Sequence, residues 1–130
     1  MVKVYLDTSA VLKLAVEEAE SLALADHLDS LPDGTERMSS WMLHTELHCA
    51  AHRRGIPAGT VTTVLGTITL VDVDRPLMIR AAASRWGLRA ADAIHVATAL
   101  ALECDAVITY DREMLDLLTS IGVRTLSPGR

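Results

Sequence analysis

Val2-Lys-Val-Tyr-Leu-Asp7, near the start of the chain, is a short apolar run rich in β-forming residues that ends at an acid. Such a run predicts a buried strand. A second run of this kind, Ala106-Val-Ile-Thr109, is followed closely by Asp111. Between the two, strand-like runs alternate with segments of helical periodicity, which is the pattern of a parallel sheet covered by helices. The sequence therefore predicts an α/β fold with helices on both faces of a parallel sheet.

The predicted elements follow one another along the whole chain without a linker, a repeat or a low-complexity tract. We predict strands at 2–6, 37–39, 68–73, 106–109 and 123–126. We predict helices at 10–16, 18–31, 41–54, 76–86, 90–103 and 112–121, and a further helix that opens at Ile56-Pro57. Residues 1–130 are accordingly predicted to form one domain, since this length is typical of single domains.

Composition restricts the environments and partners to be expected. The formal net charge is −5, which argues against a nucleic-acid partner unless bound divalent ions offset the excess of acids. Cys49 and Cys104 lie far apart and form neither a disulfide framework nor a metal-binding spacing, so reduced thiols and a cytoplasmic location are expected. No signal peptide or membrane span is predicted, because every apolar run is too short.

Three acids are expected at one edge of the sheet. Asp7 and Asp111 each follow a predicted strand, and Asp92 lies in the first turn of the helix that leads into strand 106–109. Ligands of parallel sheets collect beyond the carboxyl ends of the strands, and the topology brings all three side chains to that edge. The alternative for each acid is a purely structural role as a helix cap or at a helix start.

A fourth acid, Glu46, lies on the helix predicted at 41–54. At about 100° per residue it borders the apolar face of that helix. An acid in such a position is usually either paired or functional. The alternative is a surface glutamate that is solvated or pairs with Arg53 or Arg54.

The same helix carries His44, His48 and His52 on one side, roughly opposite Glu46. Their spacing resembles the zinc-binding pair of H-E-x-x-H, but the acid stands one place too late, so a solvated or subunit-contact face is expected. The sequence also lacks a glycine-rich phosphate loop and the acid spacings of aspartyl phosphatases and receiver domains.

Four carboxylates without a nucleophile indicate a particular chemistry. Hard oxygen ligands favour Mg²⁺ or Mn²⁺, and no Ser–His or Cys–His pair is visible among the residues predicted at this edge. Such a site suits hydrolysis of a phosphodiester, because the ion lowers the pKa of a bound water and stabilises the leaving oxygen. Asp7, Glu46, Asp92 and Asp111 are therefore the candidate catalytic and metal-binding residues.

The sequence resembles the PIN-domain ribonucleases, and among them the VapC toxins of toxin–antitoxin pairs. The resemblance extends over most of the chain, with its motifs in the order of the family. The matching pieces are Tyr5-Leu-Asp-Thr-Ser-Ala10 with Lys13, Ser39-Ser40 with Glu46 and Arg53, Ala91-Asp-Ala-Ile-His-Val-Ala-Thr-Ala-Leu100, and Val107-Ile-Thr-Tyr-Asp-Arg112.

This resemblance implies a PIN-like three-layer sandwich with a parallel sheet of about five strands and Mg²⁺- or Mn²⁺-dependent endoribonuclease activity. It also implies a homodimer and a small cognate antitoxin. The four acids occupy the family's acidic positions, and Ser9 and Thr109 occupy its polar supporting positions. We further expect Lys13 and Arg112 to be RNA phosphate contacts unless they are simply solvated.

Several alternatives remain open at this stage. The chain could be a catalytically weak RNA- or protein-binding module of the same fold, or a metal-dependent nuclease that acts on DNA. Asp116, one helical turn beyond Asp111, is either a supporting acid or a solvated one. The candidate dimer contacts are Leu22, Leu24, Leu28, Trp41 and the histidine side of the 41–54 helix.

Overall fold

The structure is a computed structural model and describes residues 2–130. The strands are β1 (Lys3–Leu6), β2 (Glu36–Ser40), β3 (Thr69–Val71), β4 (Ala106–Ile108) and β5 (Thr125–Leu126). The helices are α1 (Thr8–Ala15), α2 (Ser21–Asp29), α3 (Met42–Arg54), α4 (Ala58–Leu65), α5 (Arg75–Ala83), α6 (Ala90–Ala101) and α7 (Arg112–Ser120). The predicted alternation of strands and helices is confirmed.

The sheet has five strands in the order β3-β2-β1-β4-β5, and every pairing is parallel. The first strand therefore lies at the centre. Its central residue Tyr5 pairs with Met38 of β2 and with Val107 of β4. The carboxyl ends of β1 and β4 consequently meet at one edge, as the sequence predicted.

Helices cover both faces of the sheet because the central strands are apolar on both sides. Val4 and Leu6 belong to the core shared with α1 to α4. Tyr5, which points to the other face, packs with Val96 of α6 and with Met114 and Leu118 of α7. The predicted three-layer sandwich, a parallel five-stranded sheet with helices on both faces, is thereby confirmed. Among residues 2–130, no helix is both long and apolar enough to span a bilayer.

Some boundaries differ from those predicted. The second helix begins at Ser21 rather than at residue 18, because the Ser21 hydroxyl accepts from the Glu18 amide and donates to the Val16 carbonyl, which holds a turn. The fifth helix ends at Ala83 rather than near residue 86, and Arg85 in the following loop has a φ of 56°. Helix α3 ends at Gly55, which has a φ of 70°, and this agrees with the helix end predicted at residue 54.

The expected dimer contacts need a correction. Leu24 and Leu28 are buried in the core of the single chain, so neither is available to a partner. The sequence pattern of α2 could not separate them from Leu22, which is 74% exposed. Trp41 is also exposed, and its ring lies against that of His44.

Candidate metal centre

The candidate site lies where β1 and β4 end. Asp7 directly follows β1 and caps α1, whereas Asp111 follows β4 and caps α7. Asp92 lies in the first turn of α6. Asp7 and Asp111 each cap a helix and also lie together at the carboxyl edge of the sheet. The structural and functional interpretations of these two residues therefore do not exclude each other.

Asp7 is the most rigidly held of the four acids. It is buried, with 2% exposure. One carboxylate oxygen accepts from the Ser9 hydroxyl at 2.7 Å and from the Ala10 amide at 3.0 Å, and the other accepts from the Thr109 hydroxyl at 2.6 Å. Burial raises the pKa of Asp7 even though these hydrogen bonds and the charge of His95 oppose the rise.

Ser9 and Thr109, the predicted supporting residues, connect the two loops that carry acids. The Ser9 hydroxyl accepts from the Tyr110 amide at 2.9 Å. The Thr109 hydroxyl accepts from the Asp111 amide at 3.0 Å. Through these contacts the position of Asp7 is tied to that of Asp111.

The charges of the other three acids affect the pKa of Asp92. Its pKa rises from 3.8 to about 6, first because of burial, then because of the charges of Asp111 and Asp7, with Glu46 adding a smaller effect and His95 opposing it. Asp111 holds the Met114 amide with one carboxylate oxygen at 2.9 Å. The four carboxylates thus form one electrostatically coupled group.

Glu46 is anchored from two sides. Its Oε1 accepts from the Thr8 hydroxyl at 2.7 Å and lies 2.8 Å from Nε2 of His95. Burial alone would raise the pKa of Glu46, but the hydrogen bond and charge of His95 and the Thr8 hydroxyl lower it overall. The alternative of a surface pair with Arg54 is not what the structure contains, since Arg54 lies 3.8 Å from Glu18.

Sequence reasoning missed the role of His95, which is 1% exposed. Its Nδ1 lies 2.6 Å from the Tyr5 hydroxyl, and its Nε2 faces Glu46. Burial raises the pKa of the Tyr5 phenol, so the phenol stays protonated and can donate to Nδ1. The His95 ring therefore links the Tyr5 hydroxyl to the Glu46 carboxylate. The available signal was its spacing, because His95 follows Asp92 by three residues and so shares its side of α6.

The two predicted phosphate contacts have different surroundings. The Lys13 ammonium lies 2.9 Å from Glu20 and 4.7 Å from the centre of the Tyr110 ring, and only 12% of its side chain is exposed. That cation already has partners within the protein. Arg112 is exposed and helps to line a cavity of about 240 Å³ together with Arg89, Asp92, Asp111 and Glu113.

The remaining candidates lie away from this group. The His44 ring lies between those of Trp41 and His48, with 4.7 Å between the His44 and His48 centroids, rather than near the acids. Asp116 is exposed on α7. Neither contributes to the coupled carboxylates.

The donor set suits a hard divalent cation. Within the described part of the chain, no three His, Cys, Asp or Glu side chains are already arranged as a complete metal cluster. Mg²⁺ does not require one, since it keeps several waters and often binds through one or two carboxylates. Burial and, after it, repulsion by Asp111 and Asp7 raise the pKa of Asp92, and a bound cation would relieve that repulsion.

Comparison with known proteins agrees with this arrangement. The family model described as PIN domain matches residues 4–117. Ribonuclease VapC35 of Mycobacterium tuberculosis is 35% identical over an alignment of 137 residues, gaps included. The alignment covers 98% of this chain and 98% of that protein.

Two solved structures share the fold. The structure of Mycobacterium tuberculosis VapC20, described as a sarcin–ricin loop cleaving toxin, has a TM-score of 0.75 at 16% identity and covers 96% of this chain and 99% of its own. A toxin–antitoxin complex from Klebsiella pneumoniae has a TM-score of 0.72 at 19% identity, with 96% and 97% covered. These two structures share the fold, while the family match and the VapC35 relative show that the chain belongs to the PIN-domain family and, within it, to the VapC ribonucleases.

Proposed function

We propose that this protein is the toxin of a toxin–antitoxin module and that it cleaves RNA by hydrolysis dependent on Mg²⁺ or Mn²⁺. The observation that carries the proposal is the coupled group of Asp7, Glu46, Asp92 and Asp111 at the carboxyl edge of the sheet. These four residues are proposed to be catalytic and to hold the ion. Its RNA substrate and its antitoxin partner imply that it acts in the cytoplasm.

Each residue of the group has a distinct task in this proposal. A divalent ion bound here would activate water and neutralise charge on the phosphate. Asp7 is fixed by three hydrogen bonds and provides a rigid ligand. Glu46 stays ionised because its pKa is lowered, and His95 and Thr8 orient it. Asp92 and Asp111 line the open cavity, where the ion and the phosphate would meet.

We expect RNA cleavage to stop in EDTA and to return when Mg²⁺ or Mn²⁺ is restored, because the proposed ligands are all carboxylates. Products should carry a 5′-phosphate and a 3′-hydroxyl, since water attacks phosphorus. The measurement is gel analysis of labelled single-stranded RNA beside DNA of the same sequence. Cleavage that survives complete chelation, or ends that carry a 2′,3′-cyclic phosphate, would contradict the proposal, and preferential cutting of the DNA would make the protein a DNA nuclease.

We further propose that a small antitoxin silences the enzyme by placing an arginine among the four carboxylates. A guanidinium can grip two carboxylate oxygens at once and does not deprotonate, so it offers a strong match to the group. Replacing that arginine of the antitoxin by alanine should weaken inhibition by about tenfold or more and remove its competition with Mg²⁺. Undiminished inhibition by an antitoxin without basic residues near the group would mean that it acts by steric occlusion.

The protein is also proposed to form a homodimer through the exposed side of α3 that begins at Trp41. Trp41, His44 and His48 form a row of neighbouring rings on that side, and aromatic residues are enriched in the cores of interfaces. Sedimentation at micromolar concentration should give a dimer, and Trp41→Ser should shift it toward monomer. A monomeric parent chain under these conditions would refute the proposal.

A further inference from the structure

The segment 75–91 has a charge that stands out against the rest of the chain. It contains four arginines and no acid, although the whole protein has a net charge of −5. All four arginines are exposed, and within residues 2–130 none of them forms a salt bridge. They are Arg75, Arg80, Arg85 and Arg89. This segment therefore carries positive charge that is not paired in salt bridges.

The loop 84–89, between α5 and α6, separates two cavities. Arg85, Trp86 and Leu88 help to line a largely apolar cavity of about 410 Å³. Arg89 lines the cavity of the acids, whereas its neighbours Leu88 and Ala90 line the apolar one. Because consecutive residues border both cavities, the two are adjacent across the start of α6.

Trp86 gives the apolar cavity a rigid aromatic wall. Trp86 is half-buried, packs against core residues of α5, α6 and α7, and also borders the cavity. The cavity volume falls in the range of about 300–1,000 Å³ typical of small-ligand sites. An aromatic side chain beside arginines that form no salt bridge is the combination that binds unstacked bases and their phosphates.

The backbone at Arg85 has a φ of 56°, in the left-handed region that non-glycine residues rarely adopt. Such a conformation persists only where the surroundings impose it. The loop therefore holds Arg85 at the border of the cavity in a defined backbone conformation.

We propose that single-stranded RNA crosses loop 84–89 on its way to the acids, with one base stacked on Trp86 and the flanking phosphates bound by Arg85 and Arg89. The inference rests on the proposed function in that RNA is the polymer cleaved. Charge decides between occupants, because an apolar protein segment would fill the cavity but leave the arginines unmatched. Phosphates match them and also supply the reacting group to the adjacent acids.

Binding can be measured without cleavage. A fluorescein-labelled single-stranded oligoribonucleotide in EDTA reports affinity by anisotropy, with Arg85→Asn and Arg89→Gln as test variants. Asparagine tolerates the left-handed backbone, so the first variant keeps the fold. Each variant should weaken binding roughly five- to tenfold and reduce the salt dependence, log Kd against log salt, by about 0.7 per lost phosphate contact. Arg124→Gln is the matched control and should change neither the affinity nor its salt dependence. Arg124 is exposed and directly precedes β5, so it lies at the amino ends of the strands, whereas the acids lie at the carboxyl ends.

Base stacking has its own readout, since the protein has only two tryptophans. In a Trp41→Phe background the remaining Trp86 should be quenched when RNA is added. In a Trp86→Phe background Trp41 should not respond. Quenching confined to Trp41 would overturn the stacking role of Trp86.

The outcomes separate this inference from the proposed function. Suppose that the parent protein cleaves RNA with Mg²⁺ and that Arg85→Asn and Arg89→Gln bind RNA with the affinity of the parent. The proposed RNA path across loop 84–89 is then wrong, and the ribonuclease proposal stands. If both variants lose affinity but no RNA is cut, the path stands and the ribonuclease proposal fails. A parent protein that binds no RNA at low salt overturns the path, and so do variants that change only self-association in sedimentation, which would identify this face as a protein contact.

Discussion

Asp92→Asn is expected to abolish RNA cleavage and, at the same time, to stabilise the protein when no metal is bound. Activity should fall by about a thousandfold or more, because the variant loses a charged ligand from the group that would hold the ion. Stability should rise because Asp92 is repelled by Asp111 and Asp7, and an amide carries no charge. A structural cap would behave in the opposite way.

The stability gain has a defined pH dependence. Burial and the neighbouring carboxylates raise the pKa of Asp92 to about 6 in the folded protein, above its ordinary value of 3.8. Below about pH 4 the carboxyl is protonated in both states and the variant has no advantage. As the pH rises from 4 to 6 the folded parent must ionise Asp92 unfavourably, so the advantage grows and is complete above pH 6. Because Asp92 is only partly buried, about 1 kcal/mol is expected, or roughly 3–5 °C in Tm.

Thermal unfolding in EDTA at pH 7.5 and pH 4, together with cleavage assays, tests this prediction. Asp116→Asn is the matched control, since that acid is exposed on α7 and should show neither effect. Added Mg²⁺ should raise the Tm of the parent more than that of Asp92→Asn. Activity retained with a clear loss of stability would make Asp92 a structural residue.

His95→Ala is expected to have the largest effect on stability. The side chain is buried, and its removal leaves a cavity and deprives the Tyr5 hydroxyl of its partner at 2.6 Å. An unsatisfied buried polar group and a cavity together cost about 3 kcal/mol or more, which corresponds to a Tm decrease of roughly 10 °C. Glu46 also loses an orienting donor, so activity should fall by about 10- to 100-fold, as for residues that position metal ligands.

Two variants keep this prediction falsifiable. His95→Gln retains an amide that can donate to Glu46 and should recover part of both losses. His52→Ala, an exposed change on α3, should shift stability by less than about 0.5 kcal/mol. Unfolding by denaturant and the initial rate of RNA cleavage are the measurements. If His95→Ala is as stable and as active as the parent, the Tyr5–His95–Glu46 chain has no role.

Much of the fold was predictable because it depends on local signals. The buried run before Asp7, its counterpart before Asp111 and the helix that starts near Asp92 are enough to bring three acids to one sheet edge. Gly55 ended its helix as expected because it adopts a φ of 70°, which glycine accommodates readily. These inferences depend on only a few neighbouring residues each.

Other features were not predictable because they depend on contacts between distant segments. The residues around Lys13 in the sequence did not indicate that its ammonium would contact Glu20 and the ring of Tyr110. The same holds for the contact of His95 with Tyr5, which spans 90 residues. Burial on α2 was ambiguous as well, since leucines at 22, 24 and 28 look alike until packing distinguishes them.

The hydrogen bond between Asp7 and Thr109 has a consequence for protein synthesis. Its two residues are 102 positions apart, so a ribosome that adds about 5–20 residues per second makes the second on the order of ten seconds after the first. Until then β1 lacks its central neighbour β4, and Asp111 does not yet exist. The group of four carboxylates therefore cannot be complete before residue 111 has been made, however early β1 and its acid emerge.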